Sequence, residues 1–142
     1  MIELAVAIGL GIGVAAMIGG IAASGMTRLQ SLARFGRLNA NATLFQSQLS
    51  YYVRQAKEIQ VASPSVIKFI LLPPGAQTST VMTIATSGTA IVVDGAPITT
   101  TEVRVTELSF TKLPRSVRYH VTMKAQNDIL SVTSTVAQRN SF

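Results

Sequence analysis

The chain has no cysteine, no tryptophan, one histidine and six acidic residues among 142. Without cysteine there is no disulfide framework, no thiolate nucleophile and no sulfur ligand for a metal. The six acids are scattered, with no paired spacing of the kind that general acid–base work or cation binding needs. A nucleophilic serine or threonine would have one base to draw on, His120, and the period-two pattern around it puts it on an outward face with Arg118, Thr122 and Lys124. No glycine-rich loop follows a strand, so "GLGIG" at 9–13 is not a dinucleotide-binding turn. These absences lead to the expectation that the protein is not an enzyme and carries no cofactor and no metal.

Charge is missing in another way: nothing ionisable lies between Glu3 and Arg28. Leu4 to Thr27 would make a helix of about 36 Å, enough to cross a hydrocarbon core of about 30 Å. A secretory signal peptide would carry a basic leader and an apolar core of only about 7–15 residues. The segment is therefore read as a membrane helix, with Arg28, Arg34 and Arg37 as the basic residues at the membrane interface. If Met1 is the initiator, those arginines place the C-terminal region in the cytoplasm. If a charged leader has been removed, the opposite orientation follows, and that is the expectation taken here. Gly9 and Gly13 form a GxxxG pair suited to close helix packing, and Gly19-Gly20 is a point of flexibility. The formal charge is +6, spread evenly along the chain, which describes a solvated surface rather than a basic tail.

Beyond Arg28 the apolar residues Leu29, Leu32, Phe35, Leu38, Ala42, Phe45, Leu49, Tyr52, Ala56 and Ile59 recur at steps of three and four. That spacing predicts one continuous helix over 2–60 whose second half is apolar on one side only. Tyr51 and Tyr52 are read as helix–sheet contacts, with base stacking the minor alternative. "SPS" at 63–65 ends the pattern. The period then becomes two: strands are predicted at 66–72, 80–86, 90–94, 103–113, 117–123 and 130–136, with a bulge near Thr106–Glu107. The expected fold class is α+β, with five or six antiparallel strands laid on the helix stripe. Its three parts are an apolar helix at 1–27, an amphipathic continuation at 28–61 and a β-sheet domain at 62–142.

"MIELAVAIGL" at the start, "YYVRQAKEI" at the helix end, "DGAPITTTEVRVTELSF" in the middle and "VTSTVAQRN" near the close carry a resemblance to the type IV pilin and pseudopilin superfamily. The resemblance implies a precursor cut by a prepilin peptidase, a methylated first residue, and storage in the cytoplasmic membrane with the C-terminal domain outside. It further implies extraction by a pilus assembly machine into an extracellular pilus or periplasmic pseudopilus. In that family a glutamate near the mature N-terminus neutralises the terminal amine of a neighbouring subunit; here the roles fall to Glu3 and Met1. An unpaired carboxylate in such apolar surroundings costs roughly 2.5–3.5 kcal/mol, and a neighbour's amine offsets it. The family's glutamate is the fifth mature residue, whereas this one is the third. The proline common in the family's apolar half is absent, as is the C-terminal cysteine pair.

The expected function is that of a structural subunit in a type IV pilus-like or pseudopilus filament, polymerising with identical copies through the N-terminal helix. The alternatives are a minor priming or tip pilin with a DNA- or surface-binding role, and a single-pass membrane-anchored binding protein that does not polymerise.

Overall fold

The computed structural model describes residues 2–72 and 78–139, and the surroundings of side chains from Ile12 onward. It contains one helix, α1 (Ile2–Gln55), of 54 residues. Eight strands follow: β1 (Ala56–Ser63), β2 (Val66–Leu71), β3 (Thr80–Ser87), β4 (Ala90–Val93), β5 (Ala96–Pro97), β6 (Arg104–Leu113), β7 (Ser116–Ala125) and β8 (Asp128–Ala137). The class is α+β, with a long apolar N-terminal helix and antiparallel sheets. Two compact units divide the chain, one ending at Arg34 and one starting at Phe35.

In the second unit the strands form two antiparallel meanders, ordered β1-β2-β3-β4-β5 and β6-β7-β8. The turns of the first meander use residues that tolerate positive φ, whereas that between β7 and β8 places Gln126 at φ 55°. Asp94 (φ 51°) and Gly95 (φ 84°) join β4 to β5, and Gly88 (φ 60°) sits between β3 and β4. The register shift between Val105 and Glu107 is the predicted bulge. It lets Val105 point inward before it and Leu108 and Phe110 after it.

The core is the helix stripe against the inner faces of the sheets. Leu38, Phe45, Leu49 and Val53 are fully buried, as are Ile67, Phe69, Ile84, Ile91, Val117 and Met123. Phe45 is its centre: the Tyr119 ring meets it edge-on at 5.3 Å and Phe110 lies 6.5 Å away. All four residues predicted to face inward on β7, Val117, Tyr119, Val121 and Met123, are buried.

Three expectations differ from the structure. The helix stops at Gln55, and "AKEIQVAS", expected to continue the helix to 60 or 61, is strand β1 paired with β2. The misleading signal has a physical origin: a register shift between Ala56 and Glu58 inserts an extra residue, so that Ala56 and Ile59, three apart, both point inward. Spacing of three thereby imitates helical periodicity. The stripe is also shorter than expected, because Leu29, Leu32 and Phe35 are at least half exposed and the buried run starts at Leu38. Finally, one sheet of five or six strands becomes two sheets, since β1 was concealed in the helix pattern and β5 is only two residues long.

Candidate assembly surface

The first unit is α1 up to Arg34, and the large apolar side chains described in it, from Ile12 onward, are exposed. Ile12, Met17, Ile18, Ile21, Met26, Leu29 and Leu32 are each more than 60 % exposed. A soluble surface rarely shows apolar residues around a whole helix. By length and composition α1 is long and apolar enough to cross a membrane.

The hydroxyl side chains in this stretch are turned back on the helix. Ser24 donates to the carbonyl of Ile21 at 2.9 Å, Thr27 to that of Ser24 at 2.9 Å, and Ser31 to that of Arg28 at 3.0 Å. An unsatisfied hydroxyl in hydrocarbon is costly, and bonding back to the preceding turn removes that cost. The glycines are open in the same way. A Cβ added at Gly13, Gly19 or Gly20 would meet nothing within 4 Å. Any close packing at these positions therefore requires another molecule.

Of the residues singled out for assembly, Met1 lies outside the described residues, as do the side-chain surroundings of Glu3 and of Gly9. Arg28 is exposed and Arg34 half-buried. Arg37 pairs with Glu102, an ion pair within the second unit. Its partner residue lies in the 98–103 loop that leads into β6, and a second residue secures the same loop. Asn41, 6 % exposed, accepts from the Thr100 N–H at 2.9 Å and donates to the Arg37 carbonyl at 2.9 Å. Asn41 is not among the residues singled out from the sequence. The signal was there: an amide three residues after Leu38 and four before Phe45 stands on the buried stripe, where a polar group needs a partner.

His120 has both ring nitrogens occupied. Nδ1 lies 2.7 Å from the Thr133 hydroxyl; Nε2 lies 3.2 Å from that of Thr122 and 3.5 Å from a Glu107 oxygen. The arrangement is a polar network on the outer face of β6–β8. Among the described residues, no three His, Asp or Glu side chains stand close enough to hold a metal ion. Tyr52 stacks on Phe69 at 5.8 Å, as a helix–sheet contact. Tyr51 is half exposed and lines an open groove of about 740 Å³ with Arg54, Gln138 and Arg139. Burial raises the Tyr119 hydroxyl above the ordinary phenol range, and Ser134, its cross-strand neighbour, acts in the opposite sense.

Comparison of the chain with protein-family models, with curated proteins and with solved structures finds no significant match.

Proposed function

We propose that this protein is a membrane-anchored structural subunit that polymerises, in the manner of type IV pilins and pseudopilins, through the apolar part of α1. The observation that carries the reading is the contrast along one helix. From Leu38 to Val53 its stripe is buried under the chain's own sheets, whereas from Ile12 to Leu32 its large apolar side chains are exposed among the described residues. A lipid bilayer satisfies that surface in the stored monomer, and the same segments of neighbouring copies satisfy it in a filament. Contacts between unlike patches of identical copies do not close on themselves, so a fibre results. Gly13, Gly19 and Gly20, open in the single chain, are the points of close approach between helices.

In this reading Glu3 meets the N-terminal amine of the next copy, a prepilin peptidase generates that amine, and the assembly machinery draws the subunit from the inner membrane. Replacing Glu3 with Ala is expected to abolish filaments while the monomer still floats with membranes. Electron microscopy of sheared cell-surface material and flotation of the membrane fraction check the two halves separately. Normal filaments from Glu3→Ala would remove the proposed pairing. A parent chain that never forms filaments would instead favour the non-polymerising, membrane-anchored binding protein.

A further inference from the structure

Strand β8 ends its sheet, and among the described residues it pairs with β7 alone. The other end of the same sheet is covered. Phe110 N–H of β6 donates to the Pro64 carbonyl at 2.7 Å, and Val105 N–H to that of Thr89 at 2.8 Å. Among the described residues, β8 has no backbone hydrogen bond with any element other than β7. It runs ten residues in unbroken register with β7, and from Ile129 to Ala137 it contains no charge, no proline and no glycine. Long, regular, uncharged edges are what natural proteins ordinarily avoid, because they offer a row of free donors and acceptors to any other strand.

Which groups face outward follows from the hairpin. The closing pair of the two-residue turn is Ala125 and Asp128, and such a pair exchanges both of its hydrogen bonds across the ladder. Even-numbered residues of β8 therefore bond to β7. The Gln138 N–H, donating to the Arg115 carbonyl at 2.9 Å, continues that phase. Residues 129, 131, 133, 135 and 137 turn their N–H and C=O groups to the open side.

We propose that this edge pairs antiparallel with β8 of a second copy, about a two-fold axis at Thr133. By type of side chain, apolar or hydroxyl, the strand reads the same in both directions from that residue, Val132 and Ser134 excepted. In this register Ser131 opposes the copy's Thr135, Val132 its Ser134, Leu130 its Val136 and Ile129 its Ala137. Every outward-bonding residue then meets another, and hydroxyls meet hydroxyls on the outer face. Leu130 and Val132, only half-buried at present, become interior residues of a joined six-stranded sheet. From Ile129 to Val136 the edge carries no charge to select a foreign strand, whereas a second copy supplies the complementary sequence itself; only its end, at Ala137, borders the groove lined by Arg54 and Arg139. The contact does not depend on the filament reading.

The test is sedimentation of the full chain in detergent micelles over a range of concentrations. The parent is expected to be a dimer, and Thr133→Lys, which sets two like charges face to face on the axis, to weaken association about tenfold. Thr133→Glu behaves likewise, and mixing the Lys and Glu variants restores the dimer. Only a contact that brings residue 133 against itself gives that rescue. Thr135→Pro removes an outward N–H while leaving the β7 ladder intact, and abolishes the dimer. Circular dichroism and a thermal midpoint within a few degrees of the parent's verify the fold of each variant. A monomeric parent overturns the proposal. So does association that Thr133→Lys leaves unchanged, since the contact then lies elsewhere, in α1 for example.

Discussion

At the scale of single residues, the interactions of the second unit divide by burial. Phe45 is enclosed and touched by two other rings, so Phe45→Ala is expected to cost about 3–5 kcal/mol in chemical denaturation. Two neighbouring polar contacts differ in the same sense. The Arg37–Glu102 pair is more than half exposed on both sides and contributes under about 1 kcal/mol. Asn41 is buried and its loss strands the Thr100 N–H, so Asn41→Ala is expected to cost about 1–3 kcal/mol, more than Glu102→Gln does. Tyr119 supplies a pH dependence. Its hydroxyl is held above the ordinary value of 10.0, so the unfolded chain loses this proton first as pH rises. The contribution is full below that value and is lost above it. Thermal midpoints should fall as alkaline pH passes 10, and Tyr119→Phe should flatten that fall without lowering stability at neutral pH.

The elements of the fold were readable to the degree that their period was unambiguous. β7 was plain because Val117, Tyr119, Val121 and Met123 alternate with polar residues for its whole length. The bulge in β6 was plain because the inward phase changes between Val105 and Leu108. β1 was not, since its own bulge spaces Ala56 and Ile59 like a helix, and only pairing with β2 separates the two readings. The partition into two sheets was equally illegible, because it depends on which strands meet rather than on any strand's pattern. As for the candidate surface, the apolar span was evident from the missing charge between Glu3 and Arg28, whereas its freedom from internal contacts is a property of the folded chain. Within α1, Gly19→Ala and Gly20→Ala meet no neighbour and each removes a helix penalty of about 1 kcal/mol. Both are expected to leave the membrane-inserted monomer intact and to reduce filament yield, as counted on electron micrographs against the parent.

For the molecule as a whole, attachment to membranes is expected to be apolar rather than electrostatic. The surplus of six positive charges is dispersed along the sequence, and exposed charges are screened within about 3 Å at 1 M salt. Washing at that ionic strength should leave the protein in the membrane fraction, and detergent should release it. Removing residues 1–34 should yield a protein absent from that fraction. It should still unfold cooperatively, because every buried apolar residue among those described, from Leu38 onward, is retained. The inward-turned hydroxyls of Ser24, Thr27 and Ser31 carry a last consequence. Their donors are spent on the helix's own carbonyls, so this segment makes no polar demand on whatever surrounds it. Exchanging fatty chains for the side of another helix, or the reverse, breaks no hydrogen bond at these three positions. For the proposed filament subunit, passage between the two settings is then governed by packing alone at these positions, and can run either way.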